Sequence, residues 1–200
     1  MKKIFTALLL LLILSGIKAQ SDTFETIGNP DGKAKVRGFM APLMCFTRID
    51  DEFVHMMGGG GAVVINNFFF GGYGMGKTTQ TEYRGNPNYY MTYGHGGLWM
   101  GYTFKPHKAI HPVLHTQMGW GKIGEKPKDL NSEPLTKTGD LVYVIVPTLE
   151  LEMNFSYFFK LGAGINYQFF YNTGEIVSPY TASDFASPGV FVSLKFGWFR

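Results

Sequence analysis

Leu161, Ala163, Ile165, Tyr167, Phe169 and Tyr171 take every second position of the stretch LGAGINYQFFY, with Gly162, Gly164, Asn166, Gln168 and Phe170 between them. A period of two places the first set on one face of a strand and the second on the other. The pattern recurs. Val192, Leu194, Phe196 and Trp198 alternate with Ser193, Lys195 and Gly197; Leu149, Leu151, Met153 and Phe155 alternate with Glu150, Glu152 and Asn154; Leu98, Met100, Tyr102 and Phe104 alternate with Gly97, Trp99, Gly101 and Thr103. Together such segments predict eight strands, near residues 35–47, 52–65, 67–82, 88–104, 109–122, 140–154, 158–172 and 188–199. Many are longer than globular strands usually are, and long enough for the roughly 9–11 tilted residues that cross a bilayer. The faces of the second strand are illegible around MMGGGG, and Pro147 inside the sixth predicts a bulge there.

The connections carry independent information. Asn66-Asn67, KPHK (105–108) and NFSYF (154–158) are short, and between them fall the long stretches TEYRGNPN, GEKPKDLNSEPLTKTG and TGEIVSPYTASDFAS. Transmembrane barrels have this alternation of short turns on one side and longer loops on the other. The first hairpin, RIDDEF, is short where the scheme expects a long one.

The physics of a bilayer gives the pattern its meaning. Backbone polar groups have no partner in hydrocarbon, so spanning strands must close on themselves. Outward positions are then apolar, and inward positions of a small barrel are polar or glycine. An eight-stranded interior is just wide enough to be filled by side chains. Tyr89, Tyr90, Trp120, Tyr171 and Trp198 are expected in the interfacial aromatic belts. The fold class expected is all-β, a single antiparallel eight-stranded transmembrane β-barrel over residues 35–200.

The first nineteen residues, MKKIFTALLLLLILSGIKA, join two lysines, an apolar run and small residues before Ala19. This is the layout of a cleaved secretory signal peptide, 1–19, followed by a short N-terminal segment, 20–34. The apolar run is shorter than the roughly 20 residues of a membrane-spanning helix. That segment holds three of the chain's 18 Lys and Arg and none of its 15 Asp and Glu, so the remainder is formally neutral. A basic surface for nucleic acid is therefore not expected. Charged residues make up 16% of the chain, against about 25% in soluble domains. Cys45 is the only cysteine and has no internal disulfide partner.

With its signal peptide, eight alternating segments, turn alternation and C-terminal aromatic strand VFVSLKFGWFR, the chain resembles the small outer-membrane β-barrel proteins of Gram-negative bacteria. The stretch GGGGAVVINNFFFGGYG is similar to the second hairpin of such proteins. The resemblance implies residence in the outer membrane, among its lipids and lipopolysaccharide, and insertion by the barrel-assembly machinery. The chain departs from that pattern by ending in Phe199-Arg200.

Several motifs invite chemistry. GGYGMGKT (71–78) fits the phosphate-loop spacing G-x-x-x-x-G-K-[ST], which works only where a strand meets a helix N-terminus. TTQTEYRGNPNYY follows it with no helical period, so no nucleotide is expected; the glycines are read as relieving crowding along a strand, with Lys77 and Thr78 approaching a loop. His107, His111 and His115 are four apart, a metal spacing on a helix but about 13 Å on a strand. Glu150 and Glu152 share a face and are expected to pair with Lys195 and Arg37 inside the barrel. His95 and His115 could serve a lipid-directed Ser–His–acid site, although no serine neighbours either in sequence.

The functional expectation is a non-enzymatic outer-membrane barrel with a structural, surface-interaction or limited small-solute role. No catalytic, cofactor-binding or metal residue is assigned, and no extracellular partner is specified. Two alternatives stay open: an outer-membrane enzyme acting on lipid A or phospholipid acyl chains, and a soluble secreted barrel that binds an apolar ligand.

Overall fold

A computed structural model describes residues 35–84, 86–129, 140–172 and 180–199. The expected signal peptide and the segment 20–34 lie outside the described residues, as do 130–139 and 173–179 of the long loops.

The strands are β1 (Val36–Ile49), β2 (Glu52–Ile65), β3 (Phe68–Lys77), β4 (Glu82–Tyr83), β5 (Asn86–Thr103), β6 (Ile110–Pro127), β7 (Asp140–Asn154), β8 (Phe159–Tyr167), β9 (Phe169–Asn172) and β10 (Pro188–Trp198); a short helix, α1 (Ala182–Phe185), precedes β10. All pairings are antiparallel. The ring runs β1–β2–β3–β5–β6–β7–β8–β10 and returns to β1, with Gly38 opposite Trp198 and Phe46 opposite Val190 at the closure. β4 folds back on β5, and β9 continues β8 along β7. The predicted third strand therefore ends at Lys77; residues 78–81 are not strand, and Glu82 belongs to the separate short β4.

The alternation decides which side chains face in. Leu98, Leu114, Leu149, Leu151, Ile165 and Phe196 are exposed on the outer wall, whereas Trp99, His115, Glu150, Asn166 and Lys195 are buried inside. In β2 the structure supplies faces that the glycines hide: Val54 and Met56 are buried inside, and Met57 and Val63 are exposed. Of the glycines in GGYGMGKT, only Gly71 is required by crowding, since a Cβ there would overlap the carbonyl of Gly61. Gly74 and Gly76 have open space where a Cβ would go, so crowding does not explain them.

Pro147 does not make the predicted bulge. Thr148 pairs with Asn166 and Ile145 with Phe169, at one and the same offset. The ladder lapses opposite Pro147, which has no N–H to give, and resumes in register. The Gln168 N–H donates to the Ser187 carbonyl (3.0 Å) instead.

One end of the barrel, the turn end, carries the connections 66–67, 104–109 and 155–158. The other, the loop end, carries 50–51 and the longer connections. Asp50 (φ 53°) and Asp51 (φ 60°) are both left-handed, as a two-residue hairpin turn requires, which explains the one short connection at that end.

Candidate functional site

The inward side chains of β7, β8 and β10 converge on a buried ion cluster in the turn-end half of the barrel. Lys160 and Lys195 are directly opposite on β8 and β10, an unfavourable arrangement for like charges. Glu152 resolves it: Oε1 accepts from Lys160 (2.7 Å) and Oε2 from Lys195 (2.6 Å). Oε1 also meets His111 Nε2 at 2.9 Å. Lys195 donates in addition to Glu150 Oε2 (2.9 Å), while the Ser193 hydroxyl donates to Glu150 Oε1. Two carboxylates thus balance two ammonium groups, as buried charges must. Above them, Lys195 Nζ lies 5.7–5.9 Å from the ring centroids of Phe39, Phe69 and Trp99, within cation–π range.

Arg37 is not part of this cluster, contrary to expectation. It stands at the rim, where its guanidinium donates to the carbonyls of Phe199 and Asn66, both at 2.8 Å. Lys160, His111 and Ser193 take the places that sequence reasoning left unassigned. Lys160 was legible in principle, because it shares the inward parity of Gly162 and Gly164.

The histidines and serines do not form a catalytic arrangement. His107 is exposed in a turn, whereas His111 and His115 face inward at two heights of β6. Trp99 Nε1 donates to His115 Nδ1 (3.1 Å), which leaves the imidazole proton on Nε2, 3.2 Å from Glu150 Oε2. The acid therefore lies between Ser193 and His115, whereas a triad needs the histidine between serine and acid. His95 is buried against the Tyr73 hydroxyl (2.9 Å). Neither His95 nor His115 reaches the outer wall. Among the described residues, no three His, Cys, Asp or Glu side chains stand together as a metal would need.

Aromatic rings fill a section of the interior. Phe39, Phe69 and Trp99 meet edge to face, with centroids 5.4–5.5 Å apart. A cavity of about 20 Å³ beside Lys160 and Phe199 has room for about one water. At the loop end, Phe185 of α1 is fully buried between Tyr93 (5.5 Å), Phe170 (5.3 Å) and Tyr180 (5.7 Å), a plug in the barrel mouth.

A clasp holds the plug. Arg84 donates through Nε to Asp50 Oδ2 (3.0 Å), through Nη2 to Asp50 Oδ1, and through Nη1 to Asp184 Oδ2 (3.1 Å). Its guanidinium lies 5.1 Å over the Tyr180 ring, and the Asp50 N–H donates to the Asp184 carbonyl (2.8 Å). Burial raises the Asp184 pKa, but donors from Thr181 and Arg84 outweigh that and hold the carboxyl below its usual value. The β1–β2 turn, the β4 segment and α1 are thereby tied together. None of this was legible beforehand, although Thr181 and Asp184 carry a capping-box spacing.

On the outer wall beneath α1, a groove of about 1120 Å³ runs between Phe46, Phe53, Leu149, Ile165 and Val190. Of the expected aromatic belt, Trp120, Tyr171 and Trp198 are exposed on this wall, whereas Tyr89 packs on the interior.

No protein-family model matches the chain, and no curated protein matches it in sequence. Solved structures do match. Neisserial surface protein A (NspA) is 11% identical over 84% of this chain and 99% of its own, with a TM-score of 0.57. Ail, the attachment invasion locus protein of Yersinia pestis, solved with the heparin analogue sucrose octasulfate, is 10% identical over 82% of this chain and 98% of its own, with a TM-score of 0.50. The chain therefore has the fold of the small eight-stranded outer-membrane β-barrels.

Proposed function

We propose that this chain is an integral outer-membrane β-barrel without enzymatic activity, whose working surface is the clasped loop end. One observation carries the reading: a closed ring with an apolar outer wall around a packed, charge-balanced interior. Such a wall is stable in hydrocarbon, because no strand edge is left unpaired. The packed interior favours a surface role over solute passage. The misordered, buried Ser193, Glu150 and His115 speak against lipid chemistry. The names of NspA, a surface protein, and Ail, an attachment protein, agree with this direction. Outer-membrane lipids and lipopolysaccharide would surround the wall, and the barrel-assembly machinery would insert it. The loop end would then face outward and the turn end the periplasm.

Fractionation tests the reading. The chain should sediment with the outer membrane, and its gel mobility should shift on boiling. Recovery in the soluble periplasm would overturn it.

A further inference from the structure

The two ends differ in their exposed acids, whereas cations occur at both. The loop end carries Asp50, Asp51, Glu52, Glu82 and Asp184 among its acids. The turn end has no exposed acid among the described residues; the carboxylates of its half of the barrel, Glu150 and Glu152, are buried and paired. Yet Lys35, Lys105, His107 and Lys108 are all exposed there. The ammonium groups of Lys35, Lys105 and Lys108 have no ion-pair partner among the described residues.

These cations sit at the edge of the apolar wall. Lys35 precedes exposed Val36, Lys105 follows exposed Phe104, and Lys108 lies two residues before exposed Ile110. Phe155, Tyr157, Phe158 and Trp198 are exposed at the same level. The β5–β6 turn that holds three of the four basic side chains is pinned in place. The Lys108 N–H donates to the Lys105 carbonyl (3.0 Å), and Asn154 Nδ2 donates to the carbonyls of Pro106 (3.0 Å) and Lys108 (2.8 Å).

We propose that this rim is a binding surface for the phosphate headgroups of anionic phospholipids in the leaflet at the turn end, with Lys105 and Lys108 as its main contacts. The inference rests on the membrane placement above. A lysine beside an apolar wall lays its stem along that wall and presents its ammonium at headgroup level. Exposed aromatic rings at the same level set the depth of the protein in the bilayer. A soluble anion or a polymer would have no use for this adjacency of cation and lipid-facing ring, which is why a lipid is the occupant that fits.

The test uses the full chain, folded in detergent and shown to be heat-modifiable. It is mixed with equal parts phosphatidylglycerol and phosphatidylcholine of matched acyl chains, and native mass spectrometry reads the retained lipids. Loss of heat-modifiable mobility would defeat the membrane placement itself, before any lipid is compared. In a folded protein, phosphatidylglycerol should be enriched at low salt, and each neutralised lysine should lower that enrichment about fivefold. K105Q/K108Q should lose it and K105R/K108R should keep it. K126Q, on the opposite rim, should leave it unchanged. Equal retention of the two lipids, or a preference that survives K105Q/K108Q, would overturn the proposal. So would displacement of phosphatidylglycerol by inorganic phosphate, or lysine-dependent retention on peptidoglycan sacculi without any lipid preference.

Discussion

Lys195 and Glu152 lie 2.6 Å apart although they belong to β10 and β7, which do not pair. The strand between them is β8, and Gly162 on it faces the gap without a side chain. A Cβ at Gly162 would overlap the Glu150 carboxylate. The glycine is thus a window through which charges two strands apart meet. A valine at Gly162 should therefore lower the resistance of the folded barrel to urea in detergent. Unchanged resistance would mean that the cluster does not need the window.

The two carboxylates should not be equivalent. Glu152 separates the facing Lys160 and Lys195, whereas Glu150 has Lys195 as its one lysine partner. Removing one partner of a buried ion pair typically costs about 3–5 kcal/mol. E152Q should lie at the upper end of that range and E150Q below it, measured by urea unfolding in detergent. Equal costs would contradict the separating role of Glu152.

The barrel should not conduct. In planar bilayers the protein should give no stepwise ion current. Phe185→Ala should remain silent too, because Phe39, Phe69 and Trp99 still fill the section below. The same variant should expose the segment 180–187 to protease, since the ring that anchors it is gone. Discrete conductance in the unaltered chain would show that the packing opens.

Acid should loosen the clasp. The Asp184 carboxyl is held below its ordinary value, so its contribution is fully present above about pH 4 and is lost as pH falls through the depressed folded value. Protection of the amides in 180–187, relative to their intrinsic exchange rate at each pH, should fall below that pH. D184N should show the lowered protection at neutral pH and little further change with acid. A pH response that persists in D184N would assign it to another group.

Lys77 offers a check on the phosphate-loop spacing. Its Nζ donates to the Met91 carbonyl (2.9 Å) and to the Thr81 hydroxyl inside the loop end. Lys77→Ala should cost about 1 kcal/mol and leave insertion intact. Equilibrium dialysis should find no ATP on either protein; specific binding lost in the variant would restore the nucleotide reading.

Where side chains alternate, the fold could be read from the sequence. The segments 97–104 of β5, 149–154 of β7, 161–167 of β8 and 192–198 of β10 have faces of different character, and the structure keeps those faces. β2 hides its faces because Gly58 to Gly61 have no side chain to alternate. The ion cluster was half visible. Glu150, Glu152 and Lys195 share inward parity, but parity says nothing of height, and height is what sends Arg37 to the rim and brings Lys160 in. The plug was invisible for another reason. Phe185 works through a four-residue helix inside a loop, too short to leave a period.

The closure of β1 on β10 sets an order of events. Residues about 160 positions apart, Gly38 and Trp198, must meet before the wall has no edge. Every earlier stage exposes two rows of unpaired backbone groups, which hydrocarbon does not tolerate. A chain halted anywhere before β10 therefore has no stable membrane form. Closure of the wall is all-or-nothing with respect to the β1–β10 seam.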